Sequence, residues 1–243
     1  MNIETIFALF NRLYKSCFPL YRLFYFAYKR WSDRDKIRLI SGHVKPGMRV
    51  LDIGANIGFY TILLSRFVGK EGIVYAFEPD EDNFKYLKQL TRNLDNVKLV
   101  QAACGEKNGT IYLYKSEKMN VDHQVYKSGE SREKVEVNMV TVDDYLKGEK
   151  GGVGFVKIDV QGYDCSVFKG MKDTLARSSN TLIISELWPY GLMQAGSSAD
   201  EYLSEVAHAG FDVDFHSKDT IKDFSSYSAD RGFYVDFIAR RKK

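Results

Sequence analysis

The chain has 243 residues, of which 44% are hydrophobic, 28% charged and 14% aromatic, with four prolines. These values are typical of one large globular domain, and they exclude a disordered, collagen-like or repeat protein. The longest stretches without a charged residue, 53–65 and 187–199, have 13 residues each. A helix needs about 20 apolar residues to cross a bilayer, so no transmembrane span is expected.

Cysteine usage and charge limit the surroundings and the partners. Cys17, Cys104 and Cys165 are odd in number and lack metal-ligand spacing, which favours a reducing cytoplasm over disulfides or zinc. Residues 1–31 carry five Lys or Arg and one Asp or Glu, whereas the remainder of the chain carries 30 basic and 31 acidic residues. A phosphate-binding face needs clustered basic side chains, so we expect no nucleic-acid partner, although the N-terminal segment could contact an acidic surface.

The N-terminal segment is basic and rich in aromatic residues. Its spacing predicts an amphipathic helix over residues 3–17, an interruption at Pro19 and a second helical stretch over residues 21–31. Its aromatic side chains need cover from the main domain, from a second subunit or from the headgroup region of a membrane. Ser32 is the expected N-cap of a short helix that ends at Ile40. We therefore expect a helical extension over residues 1–45 and a main domain over residues 46–243.

From residue 49 onward the pattern alternates between strands and helices. Strands are predicted near residues 49–54, 73–78, 97–102, 154–160, 181–187, 211–215 and 233–239, and helices near residues 57–68, 80–93, 164–176 and 198–209. This alternation predicts an α/β fold with a mostly parallel sheet. Residues 106–150 interrupt it and have the pattern of an inserted hairpin. Ligands of such sheets bind beyond the carboxyl ends of the strands.

The first strand is followed by the loop Asp52-Ile-Gly-Ala-Asn-Ile-Gly58. Gly54 and Gly58 permit a sharp bend and a close approach to a ligand. A dinucleotide-binding loop has a further glycine where this chain has Asn56. Because Asp52 and Asn56 suit a ligand with an ammonium group, a nicotinamide-dependent oxidoreductase is the weaker alternative.

The ends of the next two strands suit a nucleoside. Glu78, followed by Pro79, lies about 20 residues after the glycine loop, where an acidic side chain can accept hydrogen bonds from ribose hydroxyls. Ala102 and Ala103 are small enough to admit a flat adenine ring, although ordinary close packing explains them equally well.

Six segments occur in a characteristic order: VLDIGANIGFYT, VYAFEPD, NVKLVQAACGEKNGTI, MVTVDDYL, FVKIDVQGYD and LIISELWP. In this combination, over about residues 40–190, the chain resembles FkbM-type methyltransferases, a branch of the class I enzymes that use S-adenosylmethionine (SAM). The resemblance implies a Rossmann-like seven-stranded sheet with a reversed last strand and methyl transfer, usually to oxygen. Similar proteins often modify hydroxyls of sugars, lipopolysaccharide or natural products. The expected cofactor-binding residues are Asp52, Gly54, Ala55, Asn56, Gly58, Glu78, Pro79, Ala102 and Ala103.

Methyl transfer to a hydroxyl also needs a group that accepts the proton. Candidates are Asp159 and Glu186, at the ends of the fourth and fifth strands, and His123 in the insertion. Similar proteins commonly read D-V-E-G-x-E where this chain has Gln161 and Asp164, so a potential base is lost and Asp159 is preferred. Alternatively, Asp159, Asp164 and Glu186 could hold Mg²⁺.

Other expectations concern residues around this site. Lys157 is predicted to form a structural ion pair with a nearby carboxylate, and Cys104 and Cys165 are predicted to be packing residues. The pocket that selects the acceptor is expected from the insertion and from the loop after Glu186, including Trp188 and Tyr190. If the change at position 161 abolished turnover, the chain would be a SAM-binding or assembly protein without catalysis.

Overall fold

A computed structural model describes residues 13, 14, 16–115, 124, 125, 132–215 and 223–242. The helices are α1 (Phe18–Ser32), α2 (Arg34–His43), α3 (Phe59–Val68), α4 (Glu81–Thr91), α5 (Val142–Tyr145), α6 (Asp164–Lys169), α7 (Lys172–Ala176), α8 (Pro189–Gln194) and α9 (Ala199–His208). The strands are β1 (Arg49–Ile53), β2 (Ile73–Phe77), β3 (Val97–Val100), β4 (Ala103–Cys104), β5 (Gly109–Lys115), β6 (Glu133–Val140), β7 (Phe155–Ile158), β8 (Leu182–Leu187), β9 (Phe211–Phe215) and β10 (Val235–Arg241).

Seven strands form the main sheet, in the order β3-β2-β1-β7-β8-β10-β9. The first five of these are parallel, and β10 runs antiparallel to both β8 and β9. β7 is buried along its whole length, as expected of a central strand covered on both faces. The predicted Rossmann-like sheet with a reversed last strand is therefore confirmed.

The insertion forms a second, small sheet. β5 and β6 pair as an antiparallel hairpin, and β4 adds to β6 in parallel. The Lys115 ammonium lies 2.8 Å from a carboxylate oxygen of Asp80 and 2.8 Å from one of Asp82. The predicted hairpin is thus confirmed, and the two ion pairs of Lys115 connect it to the start of α4.

Several helical predictions need correction. The helix expected over residues 164–176 is divided into α6 and α7 at Gly170, where the chain passes so close to Gly105 that a Cβ would overlap the carbonyl oxygen of Gly105. Ser32 is not an N-cap: it ends α1, and its hydroxyl donates to Asp33 Oδ1 at 2.7 Å. α2 extends to His43, beyond the expected end.

The described part of the N-terminal extension packs on the main domain. Pro19 lies in the first turn of α1, where its missing N–H costs no helical hydrogen bond, so it starts this helix. Tyr14, Phe18 and Ile57 belong to one buried cluster, and the Phe18 ring stacks on Tyr86. The Tyr14 hydroxyl donates to Asn83 Oδ1 at 2.9 Å. Across the described ranges, every helix is too short or too polar to span a bilayer.

Candidate active site

A cavity of about 710 Å³ opens at the carboxyl ends of β1, β2, β7 and β8. This volume is within the range of small-molecule sites, roughly 300–1,000 Å³. The main domain contributes the loop after β1, the residues after β2 and the small sheet of the insertion. The location agrees with the expected edge of the sheet.

The glycine loop and the end of β2 form one hydrogen-bonded unit. Gly54 has a φ of +78°, and a Cβ there would overlap the carbonyl oxygen of Asp159. Asn56 also has a positive φ, +51°, and its Oδ1 accepts the N–H of Ile57 at 2.7 Å. The Asn56 N–H donates to Glu78 Oε2 at 2.8 Å. Gly54, Asn56 and Glu78 all line the cavity.

Glu78 is a buried carboxyl at the cavity wall. Its Oε1 accepts the N–H of Asp80 at 3.0 Å, in addition to the bond from Asn56. Burial raises the pKa of Glu78 to about 7, although both backbone N–H groups favour the charged form. An ionised carboxylate has about four acceptor positions, so Glu78 can still accept hydrogen bonds from a ligand.

The neighbouring wall is small and apolar. It contains Pro79, Ala102, Ala103 and Cys104, and the insertion adds Leu113. The expected residues Pro79, Ala102 and Ala103 therefore line the same cavity as Glu78, and their contact with an adenine ring stays a prediction.

Three of the expected cofactor residues, Asp52, Ala55 and Gly58, are not among the residues that line the cavity. Asp52 is fully buried, and its Oδ2 accepts the Thr61 hydroxyl at 2.6 Å. Ala55 donates its N–H to the end of β2, and Gly58 precedes α3 with a φ of +95°. These three residues support the conformation of the loop without lining the cavity. Their role as cofactor contacts stays a prediction.

Lys157 connects the ends of β1 and β7. Its buried Nζ lies 3.4 Å from Asp159 Oδ2, 3.8 Å from Asp52 Oδ1 and 3.3 Å from the carbonyl oxygen of Gly54. Burial alone would lower the pKa of Lys157, but the carboxylates of Asp159 and Asp52 outweigh it, so the pKa is raised. The predicted structural ion pair is confirmed.

The carboxylate of Asp159 lines the cavity and its side chain is 40% exposed. Burial raises its pKa, but the ammonium groups of Lys157, Lys29 and Lys36 together outweigh burial and lower the pKa to about 2. Gln161 donates to Asp159 Oδ1 at 3.4 Å. At neutral pH Asp159 is therefore a stable anion with little tendency to accept a proton.

Glu186 lies at the end of β8 and also lines the cavity. Its carboxylate forms no hydrogen bond or ion pair with another residue of the described ranges. Burial, followed by the negative charges of Asp159, Asp164 and Asp236, raises its pKa well above the usual value for glutamate. Glu186 therefore binds a proton much more readily than Asp159 does.

The expected Mg²⁺ site is not supported by the described residues, and the role of His123 stays a prediction. Asp164 is buried at the start of α6, accepts the Gly162 N–H at 3.0 Å and does not line the cavity. Within the described ranges, no group of three or more His, Cys, Asp or Glu side chains could hold a metal ion, so the proposed Mg²⁺ ligands are not assembled. His123 lies outside the described residues.

A second group of lining residues was not predicted from the sequence. It comes from α1, α2 and the C-terminal part of the chain, with Tyr25, Tyr28, Lys29, Ser32, Asp33, Lys36, Arg231, Tyr234 and Asp236. Two ion pairs stiffen it, Lys29–Asp33 at 2.5 Å and Lys36–Asp236 at 2.6 Å. The aromatic excess of the extension indicated a covered surface, but it did not indicate this location. Of the two aromatic residues expected after β8, Trp188 lines the cavity and Tyr190 does not.

The methyltransferase FkbM domain model matches residues 52–213, more than half of the chain. The chain belongs to this family. The resemblance noted from the sequence motifs is thus confirmed, and it extends beyond residue 190.

Individual relatives are distant. Hexuronic acid methyltransferase AglP of Haloferax volcanii is 28% identical over 158 residues, which cover 63% of this chain and 61% of that protein. Demethylmenaquinone methyltransferase of Staphylococcus aureus is 32% identical over 100 residues, 41% of this chain and 40% of that protein. The chain therefore spans less than two thirds of either relative.

A solved structure with a similar fold is Aeropyrum pernix fibrillarin in complex with natively bound S-adenosyl-L-methionine, with a TM-score of 0.51 and 14% identity. The similarity covers 85% of this chain and 74% of fibrillarin. At this identity the comparison supports the fold.

Proposed function

We propose that this protein is a SAM-dependent methyltransferase that acts on a hydroxyl of a saccharide or a saccharide-containing acceptor. The observation that carries the proposal is the hydrogen-bonded unit of glycine loop and Glu78 at the wall of a cavity of about 710 Å³, in a chain of the FkbM family. The SAM of fibrillarin and the hexuronic acid of AglP support the cofactor and the acceptor class.

The cavity carries more acidic than basic side chains. Its described acidic residues are Asp33, Glu78, Asp159, Glu186 and Asp236, and its basic residues are Lys29, Lys36 and Arg231. Asp33 and Asp236 are paired with Lys29 and Lys36, and burial raises the pKa of Glu78 and of Glu186, so the negative charge that faces a ligand comes mainly from Asp159. An anion beside the glycine loop favours the cationic end of SAM over a pyrophosphate, because opposite charges attract strongly in a partly buried site. SAM supplies an electrophilic methyl group on a positively charged sulfur, whereas the pyrophosphate of NAD would be repelled.

We assign a binding role to each group of residues that lines the cavity. Glu78 would accept the ribose hydroxyls, and Pro79, Ala102 and Ala103 would enclose the adenine ring. Asp159, beside Gly54 and Asn56, would attract the cationic end of the cofactor. In this assignment residues 46–243 hold the cofactor, while residues 1–45 form a domain extension that contributes to the acceptor wall.

Glu186 is the better candidate for the base, although the sequence alone favoured Asp159. A carboxylate with a lowered pKa is a poor proton acceptor, and a carboxylate with a raised pKa is a stronger one. The pKa of about 2 makes Asp159 a weak proton acceptor, whereas burial and neighbouring carboxylates raise the pKa of Glu186. We propose that Glu186 takes the proton of the acceptor hydroxyl and that Asp159 remains charged.

The remaining wall suits a saccharide. Tyr25, Tyr28 and Trp188 present aromatic surfaces to the cavity, and the Lys36–Asp236 pair lies between the extension and β10. Apolar faces of a sugar ring can pack on such rings, while its hydroxyls reach the charged groups.

The test is transfer of methyl from labelled SAM to a panel of hexuronic acids, neutral hexoses and phenols, with products identified by mass spectrometry. Glu186→Gln should lower kcat by about 100-fold or more, the usual contribution of a general base, with unchanged affinity for S-adenosylhomocysteine. In the wild type, activity should fall on the acidic side of the raised pKa of Glu186, because the protonated carboxyl cannot accept a proton.

Glu149→Gln, at the surface pair with Lys98, is the matched control and should retain activity. Full activity of Glu186→Gln would contradict the assignment of the base. Binding of S-adenosylhomocysteine without transfer to any acceptor would instead favour a SAM-binding protein without catalysis.

A further inference from the structure

The outer face of α1 is apolar and is exposed among the described residues. Five large side chains, Leu20, Leu23, Phe24, Tyr28 and Trp31, are between 40% and 71% exposed. Their spacing of three and four residues places them along one face of the helix, and we call them the α1 stripe. The opposite face is packed on the main domain, and the part of the chain that the structure describes leaves the α1 stripe exposed.

The same helix is basic. Between residues 18 and 32 it contains Arg22, Lys29 and Arg30 and no acidic residue. Lys29 is paired with Asp33, but Arg22 and Arg30 are exposed and form no ion pair within the described ranges. Arg30 is seven residues after Leu23 and so borders the α1 stripe, whereas the helical neighbours of Arg22 are Phe18, Tyr25 and Phe26 of the packed face. The stripe therefore has one available positive charge at its edge.

We propose that the α1 stripe docks on the anionic surface of a lipid bilayer, with the helix in the plane of the headgroups. Apolar and aromatic side chains together with Lys or Arg are the features of helices that lie in this region, where Tyr and Trp are enriched. A second copy of the chain fits less well. A two-fold contact brings the same patch of both subunits together, and here it would place basic helices without acidic partners side by side.

The cavity opens next to this surface. Tyr28 belongs both to the α1 stripe and to the cavity wall, and Tyr234, 63% exposed, is also a lining residue. A docked α1 would therefore hold the acceptor wall at the level of the headgroups. If the proposed function is correct, the acceptor is a saccharide carried by a lipid; docking itself does not depend on that function.

The test is co-sedimentation of the full chain with vesicles of phosphatidylcholine alone or with added phosphatidylglycerol. We expect binding to the anionic vesicles only. Each basic residue near such a surface contributes about a factor of 5 in affinity, so Arg30→Gln should weaken binding about 5-fold. Lys70→Gln removes the same charge at an exposed position elsewhere and should have little effect.

The apolar contribution is tested by replacing Leu23, Phe24 and Trp31 with Ser, with Met193→Ser as a control at another exposed apolar residue. The triple variant should stay in the supernatant, and the control should sediment like the wild type. Anionic vesicles should also shift Trp31 fluorescence to the blue, a shift that Trp31→Phe loses. A wild type that never sediments, a triple variant that still does, or a triple variant that only converts a dimer to monomers would overturn the proposal.

Discussion

Replacement of Lys157 by Met tests whether the centre of the site is held by a buried ion pair. Lys157 is 5% exposed and lies 3.8 Å from Oδ1 of Asp52, a carboxylate that is fully buried. Without the ammonium, Asp52 would retain only the Thr61 hydroxyl among its described side-chain partners. Removal of one partner of a buried pair costs about 3–5 kcal/mol, a large part of a total stability of about 5–15 kcal/mol.

The assay is urea unfolding at pH 7, supported by thermal unfolding, where the midpoint should fall by about 10 °C. Loss of Lys157 raises the pKa of Asp52 in the folded state further. A folded-state pKa above the unfolded value reduces stability as the pH rises through the interval between them. The difference in the free energy of unfolding between Lys157→Met and the wild type should therefore become smaller toward pH 4, where Asp52 becomes protonated.

Two further variants complete this test. Addition of Asp52→Asn to Lys157→Met should recover most of the lost stability, because no buried charge is left unpaired. Lys98→Met removes a lysine that is 47% exposed and paired with Glu149 at the surface, and it should cost less than about 1 kcal/mol. A loss below about 1 kcal/mol in Lys157→Met, or no recovery in the double variant, would refute the reasoning.

Three other predictions concern the loop, the cofactor wall and the extension. Glu78→Gln should weaken S-adenosylhomocysteine binding by about 10–100-fold, since a charged hydrogen bond contributes about 1.5–3 kcal/mol; unchanged affinity in calorimetry would contradict this. Gly54→Ala should destabilise the fold by at least about 1–2 kcal/mol because of its positive φ and the carbonyl oxygen behind it, whereas Gly42→Ala meets open space and should not; equal melting temperatures would count against it. Tyr14→Phe should cost about 1 kcal/mol in urea unfolding through its lost bond to Asn83, and no loss would mean that the extension is undocked in solution.

The parallel sheet was predictable because its signals are local. Each strand has a short apolar run, and each following helix begins with a turn signal, as at Asp80, whose side chain accepts the Asn83 N–H and caps α4. The position of Glu78 followed from the same regularity, since it lies at the end of β2. Lys157 could be assigned a structural role because a lysine between apolar strand residues needs a carboxylate partner.

The rest depends on contacts between distant parts of the chain. The break between α6 and α7 lies at Gly170, and the contact of this residue with Gly105 joins distant parts of the chain. The proposal of Glu186 as the base depends on the low pKa of Asp159, which results from Lys157 first and then from Lys29 and Lys36 of the extension. The helical pattern of the extension predicted an apolar face, but only the folded chain shows that one side of α1 lines the cavity.

The most direct test of the central claim is thermal unfolding with S-adenosylhomocysteine and, separately, with NAD. A ligand at 100 times its dissociation constant stabilises the native state by about 2.7 kcal/mol, which corresponds to a rise of about 5–10 °C for a domain of this size. We predict this rise with S-adenosylhomocysteine, a smaller one in Glu78→Gln, and none with NAD. A rise with NAD alone, or none with S-adenosylhomocysteine, would contradict the assignment of the glycine loop and Glu78 to SAM.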